Sequence, residues 1–142
     1  SLVGSEMCIR DRSNAASSLQ FKLDIIIVAI GALENPEKSI KDLSAQKFLD
    51  MFNANTIPTA LVAKYFLPCL YRDKTTKFAS ISARVGSIED NELGGWYSYR
   101  ASKAAQNQFL KTLSIEWNRK FTLSYAVLML FFLGAPLGAI GS

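Results

Sequence analysis

Leu23 to Ala29 reads LDIIIVA, a short, almost unbroken apolar run rich in β-branched residues and closed by Gly31. A run without polar alternation has no solvent face, so it predicts a strand buried on both sides and central in a parallel sheet. Phe78 to Ser82 (FASIS) and Thr122 to Leu128 (TLSYAVL) are the next strand candidates, and the stretches between carry apolar residues at helical spacing. Strand, helix, strand, helix, strand is the order of an α/β fold wound around a parallel sheet. Ligands of such sheets bind outside the carboxyl ends of the strands, which directs attention to the segments after Ala29 and Ser82.

At 142 residues the chain suffices for one domain with a real core and is too short for two of ordinary size. Hydrophobic residues make up 49% and charged residues 20%, which fits a globular α/β protein and argues against disorder. The net charge of +4 is mild and its lysines and arginines are scattered, so nucleic acid is not an expected partner. The chain has no histidine, which excludes Ser-His-Asp and Cys-His catalytic sets and histidine-containing zinc sites; no metal is expected. Cys8 and Cys69 have no motif spacing, and Cys69 in FLPCLY reads as a buried free thiol, consistent with a reducing cytoplasm.

Ser1 to Arg12, SLVGSEMCIRDR, shows neither helical nor strand periodicity and lacks the basic start and apolar core of a signal peptide. It resembles translated read-through of a sequencing adapter and is set aside as a non-native leader, with Ser13 to Gln20 a polar lead-in. Glu34 to Leu43, with Pro36, reads as a loop holding a short helical turn. Ser44 reads as an N-cap, and Phe48, Met51, Phe52, Leu61, Val62, Tyr65 and Phe66 recur at helical spacing in one long helix. Pro58 inside that helix removes a backbone donor and frees a carbonyl one turn back, near Ala54 and Asn55.

The chemistry concentrates in Gly94 to Trp117, GGWYSYRASKAAQNQFLKTLSIEW. A glycine pair releases the chain into a helix in which Tyr99 and Lys103 stand four apart, leaving the same face. A phenol titrates near pH ~10, and a nearby ammonium favours the phenolate, drawing the pKa toward neutrality so that Tyr99 can pass a proton to a substrate oxygen. Such a pair also arises by chance on solvated helix faces. Ala101, Ala104 and Ala105 permit close packing, and Phe109, Leu110, Leu113 and Trp117 supply an apolar stripe.

With FASISARVGSI before it and a polar, glycine-containing loop between, YSYRASKAA resembles the short-chain dehydrogenase/reductase family, in particular its carbonyl-reductase-like and C-factor-like members. The resemblance runs from about Leu23 to Leu128 and implies a Rossmann-like doubly wound sheet of which this chain carries the middle and later part, without the first βαβ units. It implies Tyr99 as the acid-base residue, and Lys103 lowering its pKa and holding a nicotinamide ribose. It also implies Asn55 as the holder of a water that extends a proton path to solvent. The family's Asn-Asn-Ala-Gly element aligns with Val28, Ala29, Ile30 and Gly31, so Ala29 and Gly31 are the expected cofactor-lining residues, although both asparagines are lost. The family serine falls on Ala83; Ser82, at the strand end, is the favoured substitute and Ser87 the alternative, and either could be a plain turn serine.

The implied activity is NAD(P)-dependent interconversion of a carbonyl and an alcohol, with NADP slightly favoured over NAD and Trp96 and the Glu89 to Gly95 loop facing a small substrate. A homodimer through the two long helices is also implied. No G-x-G-x-x-G or G-x-x-x-G-x-G occurs, so the chain alone is expected to be inactive. After Leu128 the family's Pro-Gly turn is replaced by MLFFLGAPLGAIGS, so residues 129–142 read as an out-of-frame or unassigned tail and 13–128 as the partial domain. Two alternatives stand beside the enzyme. One is a non-catalytic scaffold or signalling protein of the same fold; the other is a tail-anchored membrane protein, since Phe121 to Ser142 is uncharged and follows Arg119 and Lys120.

Overall fold

The computed structural model describes residues 6–120 and 126–130. Three parallel strands, β1 (Ile25–Val28), β2 (Lys77–Ile81) and β3 (Ala126–Leu130), lie in the order β1-β2-β3. Ile26 pairs with Phe78 and Phe78 with Val127, so the crossovers expected of a parallel α/β sheet are present. The third strand runs two residues past the expected end at Leu128, with Ile81 opposite Leu130. Thr122 to Tyr125 and residues 131–142 lie outside the described residues, as does most of the segment read as an anchor. Among the described residues no helix is long and apolar enough to cross a membrane.

Helices α2 (Ala45–Asn55) and α3 (Ile57–Phe66) connect β1 to β2, and α4 (Tyr97–Lys120) connects β2 to β3. Ser44 caps α2 as its sequence context predicts, its hydroxyl accepting from Lys47 N at 3.2 Å. The single long helix is corrected to two. Its break falls at Thr56, and Pro58 occupies the first turn of α3, where no intrahelical donor is required. A short helical turn, Ile40–Asp42, closed by a Ser39 and Asp42 capping box, lies in the loop after β1 as expected.

An amino-terminal helix, α1 (Glu6–Ser17), crosses the expected boundary at Arg12 and packs on α3. No apolar stripe announces it, because its half-buried positions include Arg12, Ser13 and Ala16. Cys69 is a free thiol, half-buried near the end of this helix, its Sγ 3.8 Å from Ala16 O.

Ile26, Val28 and Phe78 face Ala63, Leu67, Leu70 and fully buried Leu110, with Phe66, Phe109, Leu113 and Trp117 packed around them. The fully buried Val, Leu, Ile and Phe side chains each contribute roughly 1.5–3 kcal/mol by leaving water, and this layer fixes α3 and α4 on the sheet. The expectation of a central strand buried on both faces is corrected. β1 is an edge of this sheet, and Ile25 and Ile27 are 53% and 67% exposed. The physical reason is that, among the described residues, the core cluster lies on one face of β1 only.

Candidate active site

The carboxyl ends of β1 and β2 and the first turns of α4 converge on one polar cluster. Ala29, Ile30 and Gly31 leave β1 exposed, open to a ligand. Asn55, 0% exposed at the end of α2, closes this loop: its Oδ1 accepts from Ala32 N at 2.9 Å and its Nδ2 donates to Ala32 O at 3.1 Å. The same Nδ2 reaches Ser102 Oγ at 3.1 Å, and Thr56 Oγ1 donates to Ser102 O at 2.8 Å, so the break between α2 and α3 is docked on α4.

Lys103, 4% exposed, stands between these elements. Its Nζ donates to Gln106 Oε1 at 3.1 Å. A Cβ built on Gly31 would lie 3.0 Å from both Lys103 Nζ and Asn55 Oδ1, and one on Gly86 would lie 2.9 Å from Lys103 Cβ. Gly86 is therefore held to glycine by the body of α4, whereas at Gly31 a side chain would press on the flexible end of the lysine. Burial pushes the Lys103 ammonium below its ordinary value.

Tyr99 is half-buried one turn before Lys103, its ring inclined at 66° to that of Trp96 with centroids 6.2 Å apart. Burial pushes the Tyr99 phenol up. The lysine ammonium is turned toward Gln106 and the polar interior.

Ser82 is buried at the end of β2, and its Oγ donates to Asn107 Oδ1 at 2.6 Å; Asn107 Nδ2 in turn donates to Gly86 O at 3.3 Å. Ser87 instead accepts from Asp90 N at 3.3 Å, an exposed turn contact apart from the cluster. The structure thus brings together Gly31, Asn55 and Lys103, places Tyr99 one turn away and adds Ser82 through Asn107. Sequence reasoning missed Gln106, Asn107, Ser102, Thr59 and Ser80. The available signal was Tyr99, Lys103, Gln106 and Leu110, spaced to share a helix face that continues into the apolar stripe. Among the described residues no group of three His, Cys, Asp or Glu side chains is placed to hold a metal.

A family model, short chain dehydrogenase, matches residues 4–125. The chain belongs to the short-chain dehydrogenase family. The match begins within the stretch set aside as a leader. C-signal of Myxococcus xanthus is 34% identical over 65 residues, covering 46% of this chain and 39% of that protein. A short-chain dehydrogenase/reductase from Burkholderia multivorans with bound NADP is 27% identical with a TM-score of 0.72, over 88% of this chain and 52% of that one. Carbonyl reductase Sniffer of D. melanogaster shares the fold, with a TM-score of 0.73 at 23% identity, over 84% of this chain and 53% of that one. The chain thus spans about half the length of these two solved structures. Its parallel sheet and flanking helices are part of their Rossmann-like fold.

Proposed function

We propose that the chain is part of an NAD(P)-dependent oxidoreductase that interconverts a small carbonyl compound and its alcohol. The observation that carries this reading is a buried ammonium, Lys103, seated among Gly31, Asn55 and Gln106, one turn from the Tyr99 phenol at the carboxyl ends of the strands. When bound, the nicotinamide supplies hydride chemistry. The residues fit such a group: Ala29 and Gly31 are exposed at the end of β1, Gly31 has no side chain to block an approach, and Lys103 Nζ lies directly behind it with Tyr99 one helical turn before. NADP is favoured over NAD, because a relative of 27% identity is described with bound NADP.

In this reading Tyr99 gives its proton to the carbonyl oxygen, or takes it from the alcohol. A phenol holds its proton at neutrality and gives it up to an oxygen that gains negative charge as the reaction proceeds. Lys103 holds the nicotinamide ribose and supplies the local positive charge. Asn55 fixes the loop beside them and would hold a water that extends the proton path to solvent, and Ser82 orients the substrate oxygen once its hydroxyl turns from Asn107. Trp96 and the Glu89 to Gly95 loop border the substrate. The homodimer would use the apolar groove between α3 and α4, lined by Ala60, Ala63, Leu67, Phe109, Leu113 and Trp117.

The engagement of Ser82 by Asn107, together with an alanine at position 83, favours a second reading: a non-catalytic scaffold or signalling protein of the same family. One experiment separates them. The chain is joined to the amino-terminal half of the NADP-bound Burkholderia relative, and NADPH oxidation is followed with 4-nitrobenzaldehyde. Tyr99→Phe should lower turnover by about 10²–10⁴-fold while leaving NADPH affinity nearly intact, because only the ionisable hydroxyl is lost. Turnover unchanged by this substitution would sink the catalytic assignment, and no turnover by the parent would favour the scaffold.

A further inference from the structure

We propose that Glu37 is a positioning residue for Tyr99, acting by clamping the loop after β1 to the first turn of α4. The proposal rests on the reading of Tyr99 as the proton-transfer residue. Glu37 is 1% exposed, a burial that a carboxylate tolerates only when its oxygens are satisfied. Its Oε1 accepts from Ser98 Oγ at 2.5 Å and its Oε2 from Ser98 N at 3.4 Å, across 61 residues of sequence. Its backbone oxygen accepts from Trp96 N at 2.7 Å. Glu37 thereby supplies what a helix start lacks: acceptors for free N–H groups and a negative charge against the positive end of the helix dipole. Burial pushes the Glu37 carboxyl up, but the Ser98 hydrogen bonds and the charge of Lys47 outweigh it and hold it below its ordinary value.

The chain entering α4 needs such a clamp. Gly94, Gly95 and Trp96 have φ of 65°, 66° and 54° in succession. Glycine adopts this region freely, whereas a bulky aromatic residue does so only where its surroundings impose it. Trp96 is held by its bond to Glu37 O, and Arg100 Nε reaches back to Gly95 O at 3.1 Å. From Glu37 the contacts run to Ser98 and Trp96, and from Trp96 to the steeply inclined Tyr99 ring. Glu37, Val85, Leu93, Trp96 and Arg100 also line a cavity of about 370 Å³, so the clamp shapes one wall of it.

Near-ultraviolet circular dichroism of the 142-residue chain tests the clamp without requiring turnover. The reporter is the part of the spectrum that Tyr99→Phe removes, which includes its coupling to Trp96. Glu37→Ala should lose most of that signal with the far-ultraviolet spectrum unchanged, whereas Glu37→Gln, which keeps an acceptor for Ser98 Oγ, should retain most of it. In the fusion with the Burkholderia half, assayed with NADPH and 4-nitrobenzaldehyde, Glu37→Ala should lower kcat by roughly 10–100-fold with KM within about 3-fold. Ser98→Ala should show the same pattern more weakly, and decides the matter if Glu37→Ala does not fold. Retention of both signal and kcat by Glu37→Ala, or by Ser98→Ala in that case, overturns the proposal. A parent fusion without turnover would defeat the oxidoreductase reading, leaving the spectra to decide the clamp.

Discussion

Lys103 Nζ donates to Gln106 Oε1 at 3.1 Å, and the amide that receives it is locked in orientation. Gln106 Nε2 donates to Ser80 Oγ at 2.7 Å, Thr59 Oγ1 at 3.2 Å and Ile81 O at 3.2 Å. Ile81 O can only accept, so the amide nitrogen must face the sheet and its oxygen must face the lysine. A buried cation therefore rests against a neutral dipole.

That arrangement carries a stability cost which Lys103→Met should relieve. Burial lowers the folded-state pKa of Lys103 below the ordinary lysine value of about 10.5, so between the folded and the unfolded value the unfolded chain binds more protons and stability rises with pH. Below the folded pKa the full cost is present. Lys103→Met is expected to raise the free energy of denaturant unfolding by roughly 1–2 kcal/mol near neutrality, and to lower turnover in the fusion with the Burkholderia half. The advantage should shrink as pH approaches about 10.5. A variant no more stable than the parent near neutrality would mean that the Gln106 bond offsets the burial.

The two glycines beside Lys103 should respond differently to alanine. At Gly86 the new Cβ meets Lys103 Cβ at 2.9 Å and the Lys103 backbone carbon at 3.0 Å, and neither can yield without moving α4. Gly86→Ala should cost about 1–3 kcal/mol by overpacking. At Gly31 the closest atoms, 3.0 Å away, are Asn55 Oδ1 and the flexible end of Lys103. Gly31→Ala should cost less stability and yet displace the ammonium. Comparison of denaturation midpoints checks the order, and equal losses would contradict it.

Ser82 and Ser87 are separated by what each hydroxyl touches. In the fusion protein Ser82→Ala should lower turnover by about 10²–10³-fold if its hydroxyl orients the substrate oxygen. Ser87→Ala should be mild, because its oxygen serves a surface turn with Asp90. The reverse result would transfer the role to Ser87; two mild results would favour the scaffold reading.

How much of this is legible in the sequence depends on how local the cause is. Tyr99 and Lys103 can be paired from four-residue spacing on one helix, and Ser44 from the residues it caps. The apolar runs mark all three strands, but not how many layers cover them, so the exposure of Ile25 and Ile27 is invisible in LDIIIVA. Pro58 signals a disruption, whereas its position in a first helical turn depends on where Thr56 docks against Ser102. Gln106 reads as an ordinary polar helix residue until Ser80, Thr59 and Ile81 surround it. Glu37 is the extreme case, since nothing within a short window ties a loop glutamate to a serine 61 residues on.

The last expectation concerns the 142 residues as an isolated polypeptide: they should show no saturable binding of NADPH. Dinucleotide folds hold the pyrophosphate on backbone N–H groups at a glycine-rich turn and helix start, and this sequence contains neither G-x-G-x-x-G nor G-x-x-x-G-x-G. Ala29 and Gly31 are expected to line the adenine side and Tyr99 and Lys103 the nicotinamide ribose, so none of them takes the place of the pyrophosphate-binding N–H groups, and most of the cofactor's charge is left without partners. The exposed Ile25 and Ile27 on an edge strand add a second hazard, self-association through an apolar face. Calorimetry or cofactor fluorescence on monomeric material should therefore give no isotherm, whereas the fusion carrying a phosphate-binding half should give one. Micromolar binding by the chain alone, lost on Lys103→Ala, would overturn this and show that the polar cluster suffices without a phosphate loop.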